Sequence, residues 1–413
     1  MIDRDAAFEG VALTARDDRF REDPHARYDA LRSREPRHRD EAYGRLLLTR
    51  WADVRHVLRH RDYSVDARRA EPGSYVRRIA GTGVTEGKGD AAYTPPLVLL
   101  DDPDHRRIRG LLSRAFNPKS IEAMRLRVEA ITDELLAALN GRATADFIAD
   151  FAGPLPTRVI LEMMGLGEQS AADFKRWSED VLWGYDPERD GARQRRLRDA
   201  FLAMGEVFRA AVEARRSAPG DDLISAMVRA QEQEDRLTDL EIVSLCTQLM
   251  VAGNVTTTDL LGNGLYALLT HPEQLARLRA APERVPAAVE EMLRFDCPIT
   301  ETARIPLADD DLGGCPVHAG ETLTASLAAA NHDPERFADP HRFDLDREDG
   351  EHLAFGSGIH VCLGAPLARL EAQVAFERFL ARFPDVRLDE TKPRQRRRLP
   401  FFRGFEALPL RIR

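Results

Sequence analysis

The run from Asp239 to Thr270 contains no proline. It is introduced by Thr238, with Glu241 three positions later, the pairing that forms a capping box, and it stops just before His271 and Pro272. At the usual rise per residue such a helix reaches about 48 Å, long enough to cross the whole molecule. Its middle, Leu249, Met250, Val251, Ala252 and Val255, is apolar on most faces, so the rod is expected to be buried. Helical periodicity dominates elsewhere too, from "DPHARYDALRSR" at Asp23 onward. Strand-like runs are few and short, such as "RLLLTR" at Arg45 and the region between Arg304 and Ser326. The expected class is mainly α with small β-sheets. No internal repeat and no domain boundary is visible, and the glycines between Gly81 and Gly89 read as a loop. One large domain over residues 1–413 is expected, with residues 1–22 as an N-terminal extension.

The rod breaks its own rules at "AGNVTTT", Ala252 to Thr258, where a glycine and β-branched residues occupy the centre of a buried helix. Gly253 alone costs about 1 kcal/mol there. Such a conflict marks either a functional approach to the backbone or a packing kink in which threonines bond carbonyls one turn earlier. A second departure is "FGSGIHVCLG", Phe355 to Gly364, which places a lone thiol among three glycines. The following "LGAPLARLEAQVAF" has helical spacing, with Pro366 suited to its first turn, so Cys362 sits just ahead of a helix N-terminus. Free N–H groups and the helix dipole favour a thiolate at that place. Four readings stand. A cysteine hydrolase has His360 as its nearest base but no third orienting group, and a zinc site finds only two ligands in "HVC". A haem-iron thiolate accounts for the glycines as well, and an inert buried cysteine is the bland case.

Bulk properties exclude several classes. The net charge of -9 and the pI near 5.8 argue against nucleic-acid binding, leaving "RQRRR" at Arg394 to Arg398 as a solvated basic loop. The cysteines Cys246, Cys297, Cys315 and Cys362 are far apart and form no CxxC pair, which argues against a disulfide framework. The acidic start "MIDRDAAFEG" lacks the pattern of a signal peptide, and no stretch of about 18 apolar residues exists. A cytoplasmic protein without a membrane anchor is expected.

"FGSGIHVCLG" resembles the haem-ligand signature of the cytochrome P-450 superfamily, FxxGxxxCxG, matched at Phe355, Gly358, Cys362 and Gly364. "EEMLR" resembles the family's ExxR motif, with Glu291 and Arg294 one turn apart, and "DPHRF" resembles the segment whose arginine, here Arg342, completes a structural Glu-Arg-Arg cluster. "DHRRIRGLLSRAF" is similar to the helix that carries His105 and Arg109 to the haem propionates, and Arg304 and His360 fall at the other matching propionate positions. The likeness extends from about Asp23 to the C-terminal "RGFEALPLRI". It implies the P-450 fold, heme b with Cys362 as axial ligand to the metal, and a monooxygenase that inserts an oxygen atom into a small molecule.

On the same resemblance "LMVAGNVTTTD" is the oxygen-binding helix, with Ala252 and Gly253 facing the iron and Thr256 at the hydroxyl position. The family's acid before that threonine is replaced by Val255, while Asn254 lies about 100° around the helix and Asp259 one turn further on. Proton delivery is then left to Thr256 and ordered water. The matching substrate pocket would be lined by Leu97, Val98, Leu249, Ala252, Pro298, Ile299 and Phe402, with Trp183 and Tyr185 nearby. That lining suits an apolar substrate, although each residue alone is as well explained by core packing. A chain of this length has no room for a fused reductase, so the resemblance implies a ferredoxin and its reductase as electron donors, met by Arg106, Arg107 and Arg369 on the thiolate side. A peroxide-driven oxidant and a non-catalytic haem sensor are the alternatives.

Overall fold

The computed structural model describes residues 6–85, 95–167, 171–234, 237–348 and 350–413. The long helix runs from Asp239 to Thr270, as its sequence pattern requires, and both halves of the capping box between Thr238 and Glu241 form. Among the described residues, the helices packed most closely on this rod include Pro154–Met163, Ala171–Leu182, Gly191–Ser217, Val285–Phe295 and Ala365–Arg382. The last two close on it tightly because Gly264 has no side chain. A Cβ there would stand 2.6 Å from Met292 Sδ and 2.8 Å from Phe376 Cζ.

A five-stranded sheet lies in the order Arg37–Asp40, Arg45–Leu48, Leu323–Ser326, Glu301–Pro306, Tyr63–Ser64. Only the pairing of Arg45–Leu48 with Leu323–Ser326 is parallel. The register sets Arg304 opposite Leu323 and Glu301 opposite Ser326. One hydrophobic core, from Leu13 to Ile412, joins sheet and helices. Mainly α with small sheets is therefore the observed class, and among the described residues no helix is long and apolar enough to cross a membrane.

Two expectations need correction. Gly81 and Gly83 belong to a helix, Tyr75–Thr85, rather than to a loop, and residues 86–94 lie outside the described chain. Residues 6–22 are no appendage either. Leu13 and Phe20 sink into the core at 2% and 5% exposure, and Asp40 accepts the backbone N–H of Gly10 at 2.8 Å. Short apolar residues spaced among charges carried no period long enough to announce this packing.

Beneath the sheet, Arg45 bonds Asp40 at 2.9 Å and Glu301 at 3.1 Å, and all three side chains are almost wholly buried. Its guanidinium also lies 4.3 Å from the ring centroid of Tyr75, which stacks on Tyr43. Removing one partner of such a group strands a charge in a dry interior. Arg45→Ala is expected to lose about 3–5 kcal/mol in equilibrium urea unfolding, and a loss below ~1 kcal/mol would show that water relieves the exposed carboxylates.

Candidate functional site

The sulfur loop is a turn tied back on itself. Cys362 donates its N–H to the Phe355 carbonyl at 2.9 Å, and Gly364 caps the helix Ala365–Arg382 with Pro366 in its first turn. Gly358 has φ +74°, and a Cβ on it would lie 2.4 Å from the carbonyl oxygen of Leu58. This glycine therefore serves the chain's own close approach. Gly364 differs, because a Cβ there would meet only the Cys362 sulfur, at 4.0 Å.

Cys362 retains an exposed side, with protein packed densely behind it. Burial raises the thiol pKa, while N–H groups of Gly364 and Ala365 and the charges of Arg109 and Arg369 pull it down. The balance lies above the ordinary thiol value, so the 18-residue helix that starts here and the nearby charges offset only part of the cost of burying the anion. Behind it, Arg369 makes a two-point bond to Glu290, at 2.7 and 2.8 Å, and covers the Phe355 ring at 4.6 Å. Glu290 also receives His352 at 3.1 Å. Burial works against the Glu290 charge, but the bonds from Arg369 and His352 outweigh it and bring its pKa to about 2.

Four basic side chains converge beside this loop. The rings of His105 and His360 lie 4.2 Å apart, and Arg109 donates to the Val361 carbonyl at 2.7 Å. Arg304, 5% exposed, reaches only the Ala303 carbonyl and, at 3.4 Å, the Thr302 hydroxyl. Burial lowers its pKa to about 10 and, helped by Arg304, His105 and Arg109, lowers that of His360 to about 3. His105 is 2% exposed, and its Nε2 has no hydrogen-bond partner. Among the described residues no carboxylate pairs with Arg109 or Arg304. A buried guanidinium, Arg304, and a half-buried one, Arg109, both without acids and next to an orphaned imidazole nitrogen, fit a ligand edge bearing two carboxylates. A porphyrin with its propionates, held at its metal by Cys362, has that chemistry, so the donor set fits haem.

The expected Glu-Arg-Arg cluster forms with a different third member. Arg294 bonds Glu291 at 2.7 and 2.8 Å, and Arg347 reaches the same carboxylate at 3.2 Å. Arg342, 60% exposed, turns away toward Asp344 and contributes only its carbonyl to Arg294. The chain after Phe343 bends back, so that the Asp344 N–H binds Glu291 at 2.9 Å and the later arginine arrives instead. "DLDR" held that residue in plain sight, but nothing in its spacing distinguished it from Arg342. Arg294 further binds the carbonyls of Asn331 and Pro340, fastening the segment that leads into the sulfur loop.

The central helix stays helical through Ala252 to Thr258. Thr256 donates its hydroxyl to the Ala252 carbonyl at 2.6 Å, and Thr258 to that of Asn254 at 3.0 Å. A Cβ on Gly253 would touch only Ile160, at 3.7 Å, so packing within the chain does not demand glycine there. Val255 is 2% exposed and joins Leu182, Leu399 and Phe402 in a separate apolar cluster flanked by Trp183, Val251 and Ile299. Ile299 and Phe402 pair as an isolated bridge, and Tyr185 packs edge-on against Phe402 at 5.3 Å. Leu97, Leu249 and Pro298 are at least half-buried and Val98 is 46% exposed, with Leu97 N–H held by Gln248 at 2.7 Å. Leu182 and Leu399 escaped the sequence reading because their segments meet this helix only in three dimensions. Asp259 is bound by Arg397 at 3.1 Å, and burial, partly offset by that arginine, lifts its pKa to about 6.

Comparison with known proteins bears on this geometry. A family model described as Cytochrome P450 matches residues 85–405. Cytochrome P450 107B1 of Saccharopolyspora erythraea is 39% identical over 97% of both chains. The 6-deoxyerythronolide B hydroxylase of the same organism is 39% identical over 89% of this chain and 90% of its own. Among solved structures, a myxobacterial cytochrome P450 in complex with myristic acid superposes with a TM-score of 0.87, at 37% identity, covering 96% of this chain and 98% of that one.

The corrected cluster makes a direct test. Arg347→Ala is expected to cost about 3 kcal/mol or more in urea unfolding and to reduce haem content, whereas Arg342→Ala should stay within about 0.5 kcal/mol of the parent. The reverse order would restore Arg342 to the cluster. For Glu290, a folded pKa below the ordinary 4.5 means that the ionised form favours the fold. Its contribution is complete above that pH and declines as acid carries it toward about 2. Glu290→Gln should therefore flatten this part of the acid-unfolding profile, and an unchanged profile would assign the acid sensitivity to other groups.

Proposed function

The chain belongs to the cytochrome P450 family of haem-thiolate oxidoreductases, and from that premise we propose that it hydroxylates an apolar small molecule with dioxygen and electrons from a ferredoxin and its reductase. The observation that carries the reading is the sulfur of Cys362 at a helix N-terminus, beside Arg109, Arg304, His360 and a His105 nitrogen that lacks any partner. When bound, haem supplies the redox centre at which dioxygen is activated, and a cysteine thiolate favours O–O cleavage by donating electron density. Heme b, which bears two propionates, is the form we propose is bound.

Each residue of the chain has a definable task. Arg109 and Arg304 neutralise two carboxylates, and His105 and His360 act as neutral donors to the same edge. Burial lowers the pKa of both imidazoles, so they meet that edge uncharged. Thr256 donates a hydrogen bond to the Ala252 carbonyl, which leaves its oxygen lone pairs to accept a hydrogen bond from water and orient it. Asp259 is bound to Arg397 and takes a structural part.

Substrate contact is proposed for the Val255 cluster, with Phe402, Ile299, Leu182 and Trp183 as one wall. Shape and apolarity would select the ligand there, with few polar anchors. The 6-deoxyerythronolide B hydroxylase and the myristate-bound relative carry in their names a macrolactone and a fatty acid, and both are bulky apolar molecules. Val255 also supports a second reading. An acid at 255 would be a buried charge in an apolar cluster, so this helix has no carboxylate at the proton-delivery position and suits oxidation driven by peroxide, which brings its own protons.

For electron delivery, the three proposed cations are less available than their sequence implied. Arg106 is bound to Asp102, Arg107 to Glu241 and Asp104, and Arg369 to Glu290. A docking face built on them would gain little from long-range charge.

Spin-state titration of the ferric protein with macrolactones, fatty acids and steroids tests the ligand class, and turnover of a hit with reduced ferredoxin or peroxide separates the two oxidants. Thr256→Val is expected to lower ferredoxin-driven product formation by roughly 100-fold while leaving the spectral affinity near that of the parent. Undiminished product from that variant would remove Thr256 from proton delivery. Binding without product under either oxidant would leave a ligand-binding protein.

A further inference from the structure

Far from the sulfur loop, three histidines meet where the helix His25–Arg34 touches the segment after Asn331. One ring nitrogen from each of His25, His332 and His341 lies within 4.8 Å of the other two. The His25 and His332 rings overlap at 3.8 Å between centroids. Each histidine's hydrogen bonding determines which nitrogen remains available. His332 Nε2 donates to the Phe295 carbonyl at 2.8 Å, leaving Nδ1 as a lone pair. His341 Nε2 meets the Asp29 carboxylate at 2.7 Å, which places the proton there and again leaves Nδ1. These two Nδ1 atoms face each other at 3.2 Å. His25 Nδ1 is buried with no partner at all.

Two facing lone pairs at that separation repel unless something positive lies between them. We propose that His25, His332 and His341 bind a divalent transition-metal ion of the zinc class through their inward ring nitrogens, with water as the fourth ligand. The spacing suits it, since zinc–nitrogen bonds of about 2.0–2.1 Å in a tetrahedral site separate ligand nitrogens by a little over 3 Å. Imidazole ligands favour zinc, copper, nickel or cobalt over magnesium or calcium. The outer hydrogen bonds to a backbone carbonyl and a carboxylate are those that orient metal-binding histidines elsewhere.

Nearby charge does not forbid a cation. Arg32, Arg294 and Arg403 stand around the site, but each is paired, with Asp29, Glu291 and Asp296 respectively. Burial, reinforced by the arginines for His25 and by His25 and Arg294 for His332, lowers the pKa of both, so both offer lone pairs at neutral pH. An ion here would fasten the first long helix to the segment that Arg294 grips at Asn331 and Pro340. Its role would be structural.

The test uses the full-length, haem-loaded protein without an affinity tag, cleared of loose metal with EDTA and titrated with zinc sulfate by calorimetry, with zinc counted separately from iron by plasma emission. One zinc per chain is expected, together with a raised melting temperature. His341→Ala, at an exposed position, should weaken binding by at least about tenfold and abolish the thermal gain, and Asp29→Asn should weaken it by about 10–100-fold. His25→Gln, with haem content and circular dichroism as folding controls, gives an independent second variant. Absence of stoichiometric zinc, or an affinity in His341→Ala and His25→Gln equal to that of the parent, would overturn the proposal and leave a proton shared between His332 and His341.

Discussion

Everything at the candidate site depends on keeping one sulfur atom at the start of the helix Ala365–Arg382. N–H groups of Gly364 and Ala365 favour its anion, while the packing behind it opposes the charge. The balance is set by distance: moving the loop away from the helix end would weaken the dipole and the N–H contacts together. Several unrelated-looking features hold that distance. Gly358 lets the loop press against Leu58, and the Phe355 carbonyl ties back Cys362. Arg369 and His352 join the loop to Glu290, and the neighbouring Glu291 gathers Arg294, Arg347 and the Asp344 backbone. Two adjacent carboxylates on one helix thus brace the loop and the segment that precedes it.

Much of this arrangement was legible in the sequence where a local rule applied. The long helix announced both of its ends through a capping box and a proline, and the cysteine's place before a helix followed from spacing alone. Readings failed where the deciding partner was distant. Arg342 and Arg347 look alike as sequence, and only the bend at Asp344 brings the second to Glu291. The first 22 residues read as an N-terminal extension because their apolar members are scattered, yet Leu13 and Phe20 fill core positions offered by later segments. The basic trio near the sulfur seemed to form a patch until their acids neutralised them, Asp102 from one turn earlier for Arg106, and Glu241 and Glu290 from other elements for Arg107 and Arg369.

The apparent flaw in the central helix has a similar explanation. Threonine hydroxyls bond carbonyls one turn back, so the helix absorbs "NVTTT" without opening. What remains unexplained by packing is Gly253, and that residue lies beside Thr256 on the helix. Sequence analysis found the anomaly through propensity. The structure divides it into residues that the fold accommodates and one, Gly253, whose missing side chain is not required by packing within the chain. Val255 goes with the apolar cluster instead, where an acid would be a buried, unpaired charge.

X-ray absorption at the iron edge of the ferric haem-loaded protein reports the atoms bonded to the metal without depending on turnover or partner. The account predicts one sulfur neighbour in the parent protein that disappears in Cys362→Ala. A first shell made only of nitrogen and oxygen in the parent, or a sulfur that persists in the variant, would contradict it.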